Sequence, residues 1–196
     1  KITNKSSPSI PANYSVESLG GGMVSLNFSN DENAIEYEVV EIISDSTQGR
    51  IVGKFLKSPI LIQGLKDNTP YFYKVRASNQ FGFSEFTELL GSTPSPANSK
   101  VLIVNGFDRV TGTTNTFDFI LEHGNAIYIN GYSFDGASNE AIINEKIKLN
   151  NYEIVDWILG EEGAATSAFD EKEKSLVQDY ILNGGRLLVS GSEIGY

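Results

Sequence analysis

The sequence predicts two folded parts in one chain: an all-β sandwich over residues 11–94 and an α/β parallel-sheet domain over residues 100–196. Three observations predict this. Up to about residue 90, short runs alternate apolar and polar residues between Gly-, Asn- and Asp-rich turns, the period-two mark of half-buried strands. Ser92-Thr93-Pro94-Ser95-Pro96-Ala97-Asn98-Ser99 then interrupts the pattern. Beyond it, Val101-Leu102-Ile103-Val104 is a continuous apolar run, as expected of a strand buried on both faces of a parallel sheet.

Residues 1–10 are polar, contain Pro8, and form a leader; the first five lack the pattern of a signal peptide. Met23 to Phe28 places Val24, Leu26 and Phe28 on one face, with Gly20-Gly21-Gly22 as the preceding turn. Ile35 to Ile43 is the next strand, entered from the turn Asn30-Asp31-Glu32-Asn33. Ile51–Leu56 and Ile60–Gln63 follow, then Tyr71 to Ala77, where Val75 and Ala77 point inward. Residues 95–99 are a linker, stiffened by Pro94 and Pro96.

In the second part, Thr116 to His123 has helical periodicity, with Thr114 or Asn115 as cap and Gly124 as terminator. Ala126–Ile129 is a strand candidate, Ser138–Ile147 a short helix and Ile154–Leu159 a further strand. Phe169–Leu182 is an amphipathic helix with Asp170 and Glu171 in its first turn and Gly184-Gly185 after it, and Arg186–Ser190 is the next strand. Alternating β and α elements imply right-handed crossovers and a parallel sheet.

Composition excludes several classes of function. The 196 residues carry a net charge of −10, with the acidic excess mostly in the second half, which disfavours nucleic acid. No apolar run is long enough for membrane insertion. With no cysteine, disulfides, thiolate nucleophiles and Cys-based zinc sites are all excluded.

Ligands of open α/β sheets bind beyond the carboxyl ends of the strands. Asp108, Glu161 and Glu193 each follow a strand, so they are the candidate catalytic carboxylates. Converging carboxylates divide acid and base roles or hold a hard divalent cation, and Arg109 is placed to offset their repulsion. The plainer reading is that they are solvated loop residues or helix caps. Arg109, Asn115, His123 and Asn139 are the candidate substrate-binding residues. Asn115-Thr116 at a helix start offers backbone amides to an anion, or simply caps. His123, the single histidine, sits at a helix C-terminus on this reading, where a structural role is the commoner one. Ser190 and Ser192 do not make a nucleophile elbow, because Ser190 stands where Gly-x-Ser-x-Gly needs glycine.

Two resemblances add to these readings. Leu65 through Ser84, with Tyr71, Tyr73, Val75, Ala77, Asn79 and Gly82, resembles the F-strand region of fibronectin type III domains, which are immunoglobulin-like sandwiches. It implies that Tyr71 is a tyrosine corner, buried with its hydroxyl bonded to backbone near Leu65–Asn68, and that Phe28 stands for the family's core tryptophan.

The strand, helix, Gly-Gly and Arg186-Leu187-Leu188-Val189-Ser190-Gly191 sequence resembles the flavodoxin-like sheets of class I glutamine amidotransferase relatives, without their cysteine nucleophile. More closely, residues 100–196 resemble a module of large secreted Bacteroidetes proteins described as xanthan lyases or N-acetylmuramoyl-L-alanine amidases. Val101 to Arg109, Asn115 to Asp118, His123-Gly124, Phe134 to Glu140, Val155 to Glu162 and Ser190 to Gly195 carry that resemblance. It implies a secreted, periplasmic or cell-surface protein that acts on polysaccharide or peptidoglycan as a lyase or hydrolase. It also implies further strands and domains beyond Tyr196. The alternative is a non-catalytic adhesion or scaffold module that binds glycan or neighbouring domains.

Overall fold

The computed structural model describes residues 6–43, 49–96, 99–107, 115–161, 169–192 and 194. The first strands are β1 (Ser15–Gly20), β2 (Met23–Asn27), β3 (Glu36–Ile42), β4 (Gly49–Phe55), β5 (Ile60–Ile62), β6 (Tyr71–Asn79), β7 (Gly82–Phe83) and β8 (Leu90–Ser92). They form two antiparallel layers, β1-β2-β5 against β4-β3-β6-β7, with β8 also on β6. This is a fibronectin type III-like sandwich. Its interior holds the alternating residues Val16, Val24, Leu26, Tyr37, Val39, Tyr73, Val75 and Ala77, all buried. Phe28 is buried too, with its ring 4.7 Å from that of Tyr37. Tyr71 is half-buried, and its hydroxyl accepts the Lys66 backbone N–H at 3.0 Å. The backbone bond implied by the resemblance is present, while the ring is less enclosed than expected.

The second part adds β9 (Val101–Asn105), α1 (Phe119–Ile129), β10 (Phe134–Ser138), α2 (Asn139–Ile143), β11 (Ile154–Ile158), α3 (Glu171–Leu182) and β12 (Arg186–Ser190). Strands β10, β9, β11 and β12 are parallel neighbours in that order. The apolar run of β9 is buried at every position, as a central parallel strand requires. Leu102, Val104, Val155 and Trp157 face α2 and α3, whereas Val101 and Ile103 join the core shared with the sandwich. The capping box of α3, Asp170 with Glu173, fixes where that helix begins.

Two expectations are corrected. Residues 126–129 are not a strand and Gly124 does not end a helix: α1 is continuous from Phe119 to Ile129. A Cβ on Gly124 would lie 2.6 Å from Phe134 Cζ and 3.0 Å from Phe72 Cζ, so glycine serves close packing here. The strand lies instead at Phe134–Ser138, which Asp135 and Gly136 disguise in the sequence. Gly136 passes against the backbone of β8, where an added Cβ would meet the Gly91 carbonyl oxygen at 2.7 Å.

The two parts share one sheet. β10 pairs antiparallel with β1, Ser15 opposite Ala137 and Val16 opposite Gly136, giving seven strands in the order β12-β11-β9-β10-β1-β2-β5. The segment expected to be a linker is packed against this junction, with Ser95 and Ser99 both buried.

Candidate functional site

Helix α1 crosses the face of the sheet that carries Ile103 and Asp156, running from its carboxyl edge toward its amino edge. Asp156 is the middle residue of β11, flanked in register by Ile103 of β9 and Leu188 of β12. It is 4% exposed. A carboxylate this deep in a sheet needs a partner, and His123 supplies one: its Nδ1 lies 2.7 Å from Asp156 Oδ2. The other oxygen, Oδ1, is buried without a hydrogen-bond partner among the described residues.

His123 is the fifth residue of α1, not the last of a helix, so the helix-end explanation for it falls. The hydrogen bond that Nδ1–H donates to Asp156 raises its pKa, burial opposes this, and the charges of Asp156 and Glu122 add to the rise. Pairing through Nδ1 leaves Nε2 without a hydrogen-bond partner among the described residues, and the side chain is 24% exposed. Both residues line a groove of about 510 Å³ between α1 and the β11–β12 face, whose walls include Ala126, Ile127, Tyr132, Ile154 and Leu188. The groove is mostly apolar, with Tyr132 half exposed at its rim. Such a pair can take or give one proton at Nε2 while Asp156 steadies the imidazolium.

The carboxyl edge of the sheet is organised differently. Asp108, Arg109 and Glu193 lie outside the described residues. Glu161 is exposed, and its backbone N–H donates to the buried Asn115 Oδ1 at 2.9 Å. Asn115 therefore ties the β11 exit to the segment before α1, and it does not open a helix, since α1 starts at Phe119. Asn139 donates from Nδ2 to Glu173 Oε1 at 3.0 Å, joining the starts of α2 and α3. His123 does not join these groups. Its partner Asp156 stands two residues before the strand end at Ile158, roughly 7 Å back along the strand. Among the described residues, no three His, Asp or Glu side chains cluster to hold a metal ion.

Asp156 was the residue that sequence reasoning missed. Its signal was an acidic side chain inside the apolar run Ile154-Val155-Asp156-Trp157-Ile158.

No protein-family model matches the chain, and no curated protein matches it. Among solved structures it is similar to FN3tt, at 26% identity, covering 47% of this chain and 99% of that one with a TM-score of 0.43. It is also similar to the fibronectin type-III domain of human fibronectin type III domain containing protein 3, at 23% identity over 50% of this chain and 94% of that one, TM-score 0.41. The class defined by strand order and register is a fibronectin type III-like sandwich whose first strand continues into a parallel α/β sheet. No helix among the described residues is long and apolar enough to cross a membrane.

Proposed function

We propose that this is a secreted or cell-envelope, carbohydrate-associated protein whose α/β part cleaves polysaccharide or peptidoglycan glycan, with His123 and Asp156 as its acid–base pair. The 2.7 Å His123–Asp156 contact inside a groove carries this reading. The strand order supports a flavodoxin-like reading of the α/β part, since β10-β9-β11-β12 is the 2-1-3-4 start of that topology. The resemblance to xanthan lyase-like and amidase-like modules belongs to the same proposal.

On a uronate-containing polysaccharide, elimination is the chemistry that suits a His–Asp pair. His123 Nε2 takes the proton on the carbon next to a uronate carboxylate. The electrons of that C–H bond form a C=C bond as the bond from the β carbon to the glycosidic oxygen breaks, and the departing oxygen takes the proton back from the His123 imidazolium. The step needs no nucleophilic side chain. Tyr132 offers an aromatic face to a sugar ring at the groove rim. Asp108, Glu161 and Glu193 remain the proposed carboxylate set, with Arg109 or a divalent cation offsetting their repulsion toward an anionic substrate.

The test incubates the protein with a uronate-containing polysaccharide and follows the ultraviolet absorbance of the conjugated double bond. The expected result is activity in the wild type and its loss in a folded His123→Gln variant. No absorbance change with the wild type, or full activity in His123→Gln, rejects the proposal.

A scaffold reading is favoured by a different observation: the continuous sheet and shared core hold the sandwich rigidly to the α/β part. A protein inert toward polysaccharide yet able to bind it would be this second kind.

A further inference from the structure

The seven-stranded sheet is covered unevenly. On the face that carries Ala137, α2 and α3 pack over the parallel strands. Past β10 the same face continues across β1 and β2, where Ser15 lies opposite Asn27 and Glu17 opposite Ser25. A step therefore forms where the helical layer stops and a bare polar stretch of sheet begins. It holds a second groove of about 560 Å³, with Ser15, Glu17 and Asn27 on its floor and Ser29, Asn30 and Lys146 around it.

The polar groups of this floor are held in fixed positions. Glu17 Oε1 accepts from Ser15 Oγ at 3.1 Å and from Asn27 Nδ2 at 2.8 Å, and Asn27 Oδ1 accepts from Ser25 Oγ at 2.9 Å. Both bonds to the Glu17 carboxylate fall on one oxygen, leaving Oε2 as an uncommitted acceptor among the described residues. At the side, Asn144 donates to Asn13 Oδ1 and Asn13 donates to Ser29 Oγ, each at 2.7 Å, which pins the end of α2 to the sandwich. Asn30 spends its carbonyl oxygen on the Ser58 N–H and keeps its amide nitrogen. Lys146 has no carboxylate partner among the described residues.

We propose that this groove is a binding site for neutral carbohydrate, with Glu17 Oε2 accepting from a sugar hydroxyl and Lys146 and Asn30 donating to neighbouring oxygens. A sugar presents donors and acceptors on adjacent carbons, which matches a floor that offers both kinds side by side. Anions are disfavoured locally by the Glu17 carboxylate on the groove floor. A lipid tail would find Phe28 as the one large apolar side chain among the lining residues. An extended peptide would need an open strand edge, and both β1 and β2 are paired on each side. The site is separate from the His123 groove, and its neutral oligosaccharide probes differ from the uronate polymer that tests that groove.

The test is an NMR titration of the full chain with two probes, an N-acetylglucosamine tetramer and cellotetraose. The expected result is saturable shifts of amides within Ser15–Glu17 and Asn27–Asn30 with at least one probe. Glu17→Gln, which keeps the Oε1 acceptor and the fold, should weaken binding about tenfold by removing a charge-assisted bond. Lys146→Met should weaken it less, and His123→Gln should leave it unchanged. No saturable shift with either probe, shifts confined to the His123 groove, or unchanged affinity in Glu17→Gln overturns the inference. Binding retained in a protein without lyase activity sinks the catalytic proposal alone.

Discussion

The Asp135 carboxylate accepts the Ser18 backbone N–H at 2.8 Å, joining residues 117 positions apart. The same oxygen accepts from Ser92 Oγ at 2.9 Å and Ser99 Oγ at 3.0 Å, and the other accepts from Tyr152 at 3.1 Å. One buried side chain thus ties β1, β8, the segment before β9 and the approach to β11 into a single junction. Burial pushes its pKa up, and the four donors pull against that rise.

Asp135→Ala strands the Ser18 N–H, which cannot reorient, and removes the partner of three hydroxyls. The expected loss is about 1–3 kcal/mol, the usual range for a buried donor left unpaired. Because the junction is shared, both parts should unfold together. Trp157 fluorescence, reporting the α/β part, and hydrogen exchange in β2 and β3 should give one coincident denaturant midpoint. Two separated transitions in the wild type would contradict the shared junction.

The His123–Asp156 pair predicts a pH signature. His123 has a folded-state pKa raised above 6.5, chiefly by the bond to Asp156. Its stabilisation is therefore complete below the unfolded value and is lost as pH rises through the folded one. Urea titrations of wild type and His123→Gln should differ most in mild acid and converge in alkaline buffer. In the lyase assay, the rising limb of rate against pH should lie above 6.5 and move down in Asp156→Asn.

Gly124→Ala tests α1 from another side. Alanine favours an exposed helix interior by about 1 kcal/mol, but here its methyl would press on Phe134 Cζ, 2.6 Å from the Cβ position. Overpacking costs about 1–3 kcal/mol in a dense core, so a net loss of stability is expected. A higher melting temperature would show that the helix can lift away from β10.

Tyr71→Phe should cost about 1 kcal/mol, the lower part of the hydrogen-bond range, because the ring is half-buried and only the Lys66 N–H is left unpaired. Chemical denaturation measures this directly, and unchanged stability would remove Tyr71 from the corner role.

Local sequence determined the elements whose pattern is repetitive. The alternation in β2, β3 and β6 and the unbroken apolar run of β9 specify strands because the side-chain period and the burial of a central parallel strand leave few other solutions. The Asp170–Glu173 capping box likewise set the start of α3. Tertiary structure decided what local pattern disguised. Gly124 signals a helix end, yet it is a contact point that lets α1 lie on Phe134 and Phe72. Asp135 and Gly136 signal a loop, yet they occupy a strand because four donors from distant segments satisfy one and a neighbouring backbone requires the other. Asp156 has meaning only once α1 brings His123 over β11. The joining of β1 to β10 was settled the same way: strand pairing depends on which edges meet in space, and no local period records it.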